Sequence, residues 1–415
     1  MPFSLVTEAV LKEKDAMIRH FKESGSYSFP PCDEYRSANL IRERKGLMFA
    51  ILIALTKESE RVVLRGFSGL AEGHHQVPGY VNPTYSINAF KALEKESDEK
   101  VKDPLIDDEE RRRRSKLYAE RFADLHLFTD IDGNTFTLKD VQGTRMSTGS
   151  GDCAGIKVLN HAMRKGYKIL GFTEFYYGPD TKERKKGLCY EPCETRCRKI
   201  IKRMLGLDFV YVDEDIAVIN KDSGLLSAPG KGIEKLDSAS ERLKKIFPDL
   251  PVSPFVHRLD MDTSGIMVLA MNREAHRTLS MDFERRNIHK EYEALLDGRV
   301  EEKEGIIDAP MRLDVDNRPY QIIDYENGKR AITRFKVLSY QWKDKILTTR
   351  VLFSPETGRT HQLRLHSAFI GHPILSDRLY GHYIENERLM LHALRITITH
   401  PRTKKEMTFS EPAPF

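Results

Sequence analysis

The sequence predicts an α+β protein. Its C-terminal half reads as a largely antiparallel central sheet flanked by helices, preceded by a separate mixed α/β region with a β-hairpin and a charged helical arm. Three observations carry this. From about residue 206, β-rich runs such as FVYVDEDIAVINK, SGIMVLA, KEYEALLDGRV, AITRFKVLSY and ILTTRVLFS follow one another, interrupted by helical stretches such as SASERLKKIF and NREAHRTLSMDFERR. Residues 46–69, GLMFAILIALTKESERVVLRGFSG, place two apolar runs around a polar turn. Residues 94–125 are dense in charge and in helix formers.

The chain divides by composition into four segments: 1–93, an N-terminal region with the hairpin; 94–125, the charged arm, broken near Pro104; 126–205, a mixed segment containing cysteines; and 206–415, the α+β domain. In the third segment, GDCAGIKVLNHAMRKG predicts a helix from about Asp152 to Gly166 with Ile156, Leu159 and Met163 on one face. Its entry, TGSGDCAG, is rich in glycine, but lacks the Lys-Ser/Thr ending of a phosphate-binding P-loop.

Of the 415 residues, 40% are hydrophobic and 31% charged, with a mean hydropathy of −0.49. No run approaches the ~20 apolar residues that cross a bilayer. The start has charges interleaved throughout rather than the apolar core of a secretory signal, so the expected location is cytoplasmic and no membrane partner is expected. The net charge is +5. Basic runs at 111–114 (RRRR), 182–186 (KERKK) and 196–204 (RCRKIIKRM) fit either solvated helix faces or contacts to nucleic-acid phosphates. The five cysteines, an odd number in a reducing compartment, argue against a disulfide framework. Cys189, Cys193 and Cys197 are spaced by four and, with Cys153, form either a structural zinc site or a set of free thiols.

The chemistry concentrates at HRLDMDTSGIMVLA, residues 257–270. A cation and two carboxylates stand on a loop before a buried strand, with Thr263, Ser264 and Gly265 suited to a turn. By residue type alone, Asp260 and Asp262 serve a turn as well as they serve chemistry. In SPETGRTHQLRLHSAFIGHP, Thr360 is the expected N-cap of a helix that ends at Gly371, leaving Arg364 in its first turn to meet an anion. Strand periodicity in HKEYEAL puts Lys290, Tyr292 and Ala294 on one face.

Together, HRLDMDTSG, HKEYEAL, ETGRTHQLRLH and RLMLHALRITITHP, in this order over residues 206–415, closely resemble the RluA-type (ribosomal large subunit) pseudouridine synthases. The resemblance implies the pseudouridine synthase fold and an isomerase that converts uridine to pseudouridine in structured RNA (rRNA or tRNA stem-loops) with no cofactor or metal for catalysis. It also implies roles for individual residues. Asp260 is the catalytic nucleophile or base, Arg258 enters the RNA stack, and Tyr292 stacks on the flipped base and takes part in proton transfer. Arg364 pairs with the catalytic carboxylate, and Leu391 and His392 line the pocket wall. Asp262 lies outside the fixed positions of the family and is left to the loop or to RNA-side contacts. The first 205 residues do not read like the small RNA-binding domain many relatives carry; parts of them resemble extensions found in a subset of bacterial members. Two readings of other classes compete: a glycoside hydrolase using Asp260 and Asp262, which has no need of the Arg–Tyr–Arg set, and an RNA-binding assembly factor without turnover.

Overall fold

The structure, a computed structural model, describes the chain apart from residues 1–3, 43–45, 143–149, 194–195, 231, 233–235 and 344. It comprises two compact units: residues 1–214 with 242–249, and residues 215–241 with 250–415. No helix among the described residues is long and apolar enough to cross a membrane.

In the first unit the expected hairpin forms from β1 (Leu47–Leu55) and β2 (Arg61–Phe67). Helix α1 (Glu8–Glu23), capped by Thr7, packs Val10, Met17 and Phe21 into one cluster with Phe49, Ile51 and Ile53 of β1. The alternate residues of β1, Ala50, Leu52 and Ala54, are buried too, which is why that strand reads as a continuous apolar run. The charged arm is a pair of helices, α2 (Ile87–Val101) and α3 (Asp108–Asp124), with Pro104 between them. They are joined by Phe90 against Phe122 and by Glu96, which accepts from Tyr118 and from both terminal nitrogens of Arg121. The RRRR run lies on α3, where Arg111 pairs with Asp108 and both Arg113 and Arg114 pair with Glu110. Much of its charge is met within the helix.

The helix expected near 152–166 is α4 (Ala154–Lys165), ended by Gly166 in the left-handed conformation. Strands β3 (Lys168–Tyr177) and β4 (Cys189–Tyr190) extend the sheet in the order β2–β1–β3–β4, and α5 (Cys197–Leu205) follows. Part of the glycine-rich approach to α4 lies outside the described residues. Within them, acids occupy the start of α4: Asp152 pairs with buried Lys157, and Glu174 Oε1 accepts the Gly155 N–H at 2.5 Å. That is the wrong charge for a phosphate cradle.

The second unit is built on one large sheet, with a separate two-stranded ribbon of Met311–Leu313 and Gln321–Ile323. The strands of the large sheet are β5 (Ile216–Lys221), β6 (Ser264–Ala270), β7 (His289–Asp297), β8 (Glu304–Asp308), β9 (Ile332–Lys343), β10 (Ile346–Pro355), β11 (Leu391–Thr399) and β12 (Glu406–Ser410). They run in the order β8–β9–β10–β7–β11–β6–β5, with β12 added on β11. The pairings are antiparallel except for β6 with β11, which is parallel over two residues. Helix α6 (Arg273–Glu284) packs on β6, with Ala275 and Leu279 buried, and α7 (Gln362–Phe369) contributes Leu363 to the core formed with Leu295, Val351, Phe353 and Leu391.

Before the loop 258–263, Phe255 makes a single bridge, to Leu269. One local expectation is corrected. Thr360 is exposed and caps nothing: α7 begins two residues later, after His361 in a left-handed conformation. The turn is organised by Gln362 instead, whose side-chain oxygen accepts from Arg359 N and Thr357 Oγ1 and whose nitrogen donates to Ile332 O and Thr333 Oγ1.

Candidate active site

Loop 258–263, between the Phe255 bridge and β6, carries the acidic residues. Its backbone is pinned along its length by residues 221–227, which run on from the end of β5. Ser227 Oγ both donates to Leu259 O at 2.7 Å and accepts from Leu259 N at 3.0 Å. Met261 O accepts from Lys221 Nζ and from Gly224 N, each at 2.9 Å, and Asp262 O accepts from Ser223 Oγ at 2.6 Å. Asp260 O closes the turn onto Thr263 N. Lys221 is 1% exposed and also donates to Asp222 O and Leu225 O; burial pulls its pKa down to about 7, while three carbonyl acceptors suit the three N–H bonds of an ammonium.

Asp260, thus held, presents a partly exposed carboxylate to a cavity of about 1620 Å³. Arg258, Tyr292, Arg364 and Leu391 line the same cavity, so five of the six residues implied for catalysis and substrate binding meet there. The nearest charge to Asp260 is Arg364, with Nη1 to Oδ2 at 3.6 Å. Arg364 is not free to swing: Nε and Nη2 form a fork onto Asp377 at 2.7 and 2.6 Å, with both residues buried. Asp377 also accepts from the N–H groups of Leu379 and Tyr380. The Tyr380 ring lies beneath the guanidinium at 5.5 Å, and its hydroxyl meets His361 Nδ1 at 2.9 Å. Asp377 therefore fixes the guanidinium, and Asp260 receives its remaining edge.

Tyr292 reaches the cavity from β7, where the register with β11 shifts between Glu291 and Tyr292. Burial, together with the negative charge of Asp260, holds its phenol well above the usual range, so it stays protonated at neutral pH. Arg258 is exposed and makes no hydrogen bond or ion pair with another described residue, which leaves it available to a ligand. Further cations, among them Arg286, Lys290, Arg359 and Arg378, give the rim the charge a polyanion requires.

His392 is placed elsewhere. It is 1% exposed, behind Leu391, with Nδ1 at 2.6 Å from Ser264 Oγ and Nε2 at 3.0 Å from Glu411 O. Burial lowers its pKa to about 4. It joins β6 to β11 rather than lining the cavity wall. His257 of the HRLD stretch is likewise held by structure: its Nε2 accepts the Val268 N–H, its ring stacks on Phe283, and burial lowers its pKa to about 3. Asp262 lines the cavity, its carbonyl tied to Ser223.

Reading the sequence missed Lys221, Ser227, Asp377 and Tyr380. They act through backbone carbonyls or through Arg364, and no motif or period marks them. Of the four cysteines proposed as zinc ligands, Cys153, Cys193 and Cys197 converge in the first unit; Cys189 stands outside that group.

Residues 215–369 match the family model described as RNA pseudouridylate synthase. Over 212 residues, half of this chain and 94% of the relative, the chain is 44% identical to the dual-specificity RNA pseudouridine synthase RluA of Haemophilus influenzae, and equally so to that of Escherichia coli. Among solved structures, human RNA pseudouridylate synthase domain containing 1 matches with a TM-score of 0.44 at 30% identity, over 50% of this chain and 84% of that one.

Proposed function

The chain belongs to the RNA pseudouridylate synthase family, and from that premise we propose that its second unit isomerises uridines in structured RNA, an rRNA or tRNA stem-loop, with Asp260 as the nucleophile or base. The observation that carries the assignment of Asp260 is its carboxylate on a clamped loop, 3.6 Å from a guanidinium that Asp377 holds in place, in a cavity that also receives Tyr292.

Each role has a physical basis. A stacked base must leave the helix, at a cost of a few kcal/mol. Arg258, exposed and uncommitted, enters the space it vacates. Tyr292 receives the uracil face, and such stacking is worth ~1–3 kcal/mol per base. The Asp260 carboxylate, 3.6 Å from the Arg364 guanidinium, attacks C1′ of the ribose or removes the C2′ proton. The N-glycosidic bond breaks, the uracil turns within the cavity, and C5 bonds to C1′. The C5 proton is lost and N1 gains one, so the product is an isomer of the substrate. Enzymes of this family need no cofactor for these steps. The zinc expectation concerns the first unit, where three of its cysteines meet.

The test uses RNA transcribed with 5-tritiated uridine. Asp260→Asn is expected to abolish tritium release while RNA retention on a filter is unchanged; release that persists in the variant would sink the assignment. If that variant, lacking release, still rescued a strain deleted for the gene, RNA binding rather than turnover would be the biological role.

A further inference from the structure

The first unit holds a cluster that the isomerase reaction does not use. Cys197 Sγ lies 3.3 Å from Cys193 Sγ and 3.1 Å from Cys153 Sγ, and all three sulfurs fall within 4.8 Å of one another. They come from separate places in the fold. Cys153 is the N-cap residue of α4 and makes no capping hydrogen bond through its side chain; Cys193 is on the segment after β4; and Cys197 is the first residue of α5, 1% exposed. Two helices, α4 and α5, therefore begin at the cluster, so a single ion bound there would tie both starts together.

A disulfide would use two of these sulfurs and leave the third buried beside it. A tetrahedral cation uses all three: with Zn–S near 2.3 Å, thiolates on one zinc stand roughly 3.8 Å apart, so the cluster needs only a slight opening. Three soft sulfur donors select zinc over the hard cations magnesium and calcium. Glu174, 5% exposed on β3, adds a carboxyl group at the same helix start, bonded to Gly155 N two residues after Cys153.

We propose that Cys153, Cys193 and Cys197 hold one zinc ion that ties the starts of α4 and α5 to Cys193 in the first unit. Cys189, in the C-x₃-C-x₃-C run, is not a ligand. The site is structural and independent of the isomerase reading, which concerns the other unit.

The full-length chain is loaded with zinc, passed through gel filtration in buffer without metal, and assayed for metal content. One zinc per chain is expected, with an organomercurial titration of the thiols releasing it in step with their modification. Replacing zinc by cobalt(II) should give sulfur-to-cobalt charge-transfer absorption in the near ultraviolet. Cys193→Ser and Cys197→Ser should lose the ion, and Cys189→Ser should keep it. A chain that retains no zinc, zinc that stays bound while the thiols are fully modified, or loss of the ion in Cys189→Ser overturns the proposal. The mercurial and cobalt arms use the unsubstituted chain, so a variant that fails to fold does not remove the test. Uridine isomerisation assayed on the same samples reports separately on the other unit.

Discussion

Arg364 is 3% exposed and faces two carboxylates, Asp377 through a fork and Asp260 at 3.6 Å. Removing it leaves Asp377 buried without its cation, and breaking such a pair costs about 3–5 kcal/mol. Arg364→Met should therefore lower both the urea midpoint and the rate. Arg364→Lys, which keeps the charge but loses the fork, should recover part of the stability and little of the rate. Lys221 sits one step further from the chemistry. Its Nζ holds three carbonyls, Met261 O among them. Lys221→Met should loosen the loop that carries Asp260, reducing kcat more than it changes KM in steady-state assays of uridine isomerisation. The acid of HRLD and its arginine are visible in the sequence as a motif. The anchors are not, because hydrogen bonds to backbone carbonyls place no demand on neighbouring sequence.

Between elements, the parallel contact of β6 with β11 decides the layout around His392. The register sets Ser264 opposite His392 and Gly265 opposite Ala393. At Gly265 φ is +113°, and a Cβ would come within 2.3 Å of Ala393 O, a backbone atom that cannot step aside. In the sequence this glycine reads as turn chemistry; in the structure it is required by the approach of a strand far away in the chain. Gly265→Ala combines strain with that clash and should cost at least about 1–3 kcal/mol, read as a lower urea midpoint. Helix α3 shows the converse. Its RRRR run is largely answered by Asp108 and Glu110 on the preceding turn. Such exposed pairs add little stability, but they leave little net charge for phosphates. Arg113→Gln is thus expected to leave the salt dependence of RNA binding unchanged, whereas Arg258→Gln should weaken binding. Helix α7 starts without a side-chain cap; Gln362, its first residue, instead ties the preceding turn through Arg359 N and Thr357 Oγ1.

For the molecule as a whole, buried histidines set an acid limit. His257 and His392, with pKa values lowered by burial to about 3 and about 4, stay neutral in the folded chain at pH values where the unfolded chain protonates them. Between the unfolded value near 6.5 and those folded values the unfolded state binds more protons, so stability falls as the pH falls through that window. Thermal melts of the full chain should drop steadily from pH 7 to pH 5, and His392→Asn should flatten the slope.

Fold class, hairpin and charged helical arm are legible in the sequence, because periodicity and charge pattern act over a few residues; the site residues are reached only through the resemblance of four motifs to a known family. What the tertiary structure alone decided is who meets whom. Asp377 holds Arg364, residues 221–227 clamp the Asp260 loop, His392 backs the wall instead of lining it, and Cys153 rather than Cys189 joins Cys193 and Cys197. Those partnerships join residues 13 to 128 positions apart, and they follow from sheet register and helix packing, which no local stretch of sequence encodes.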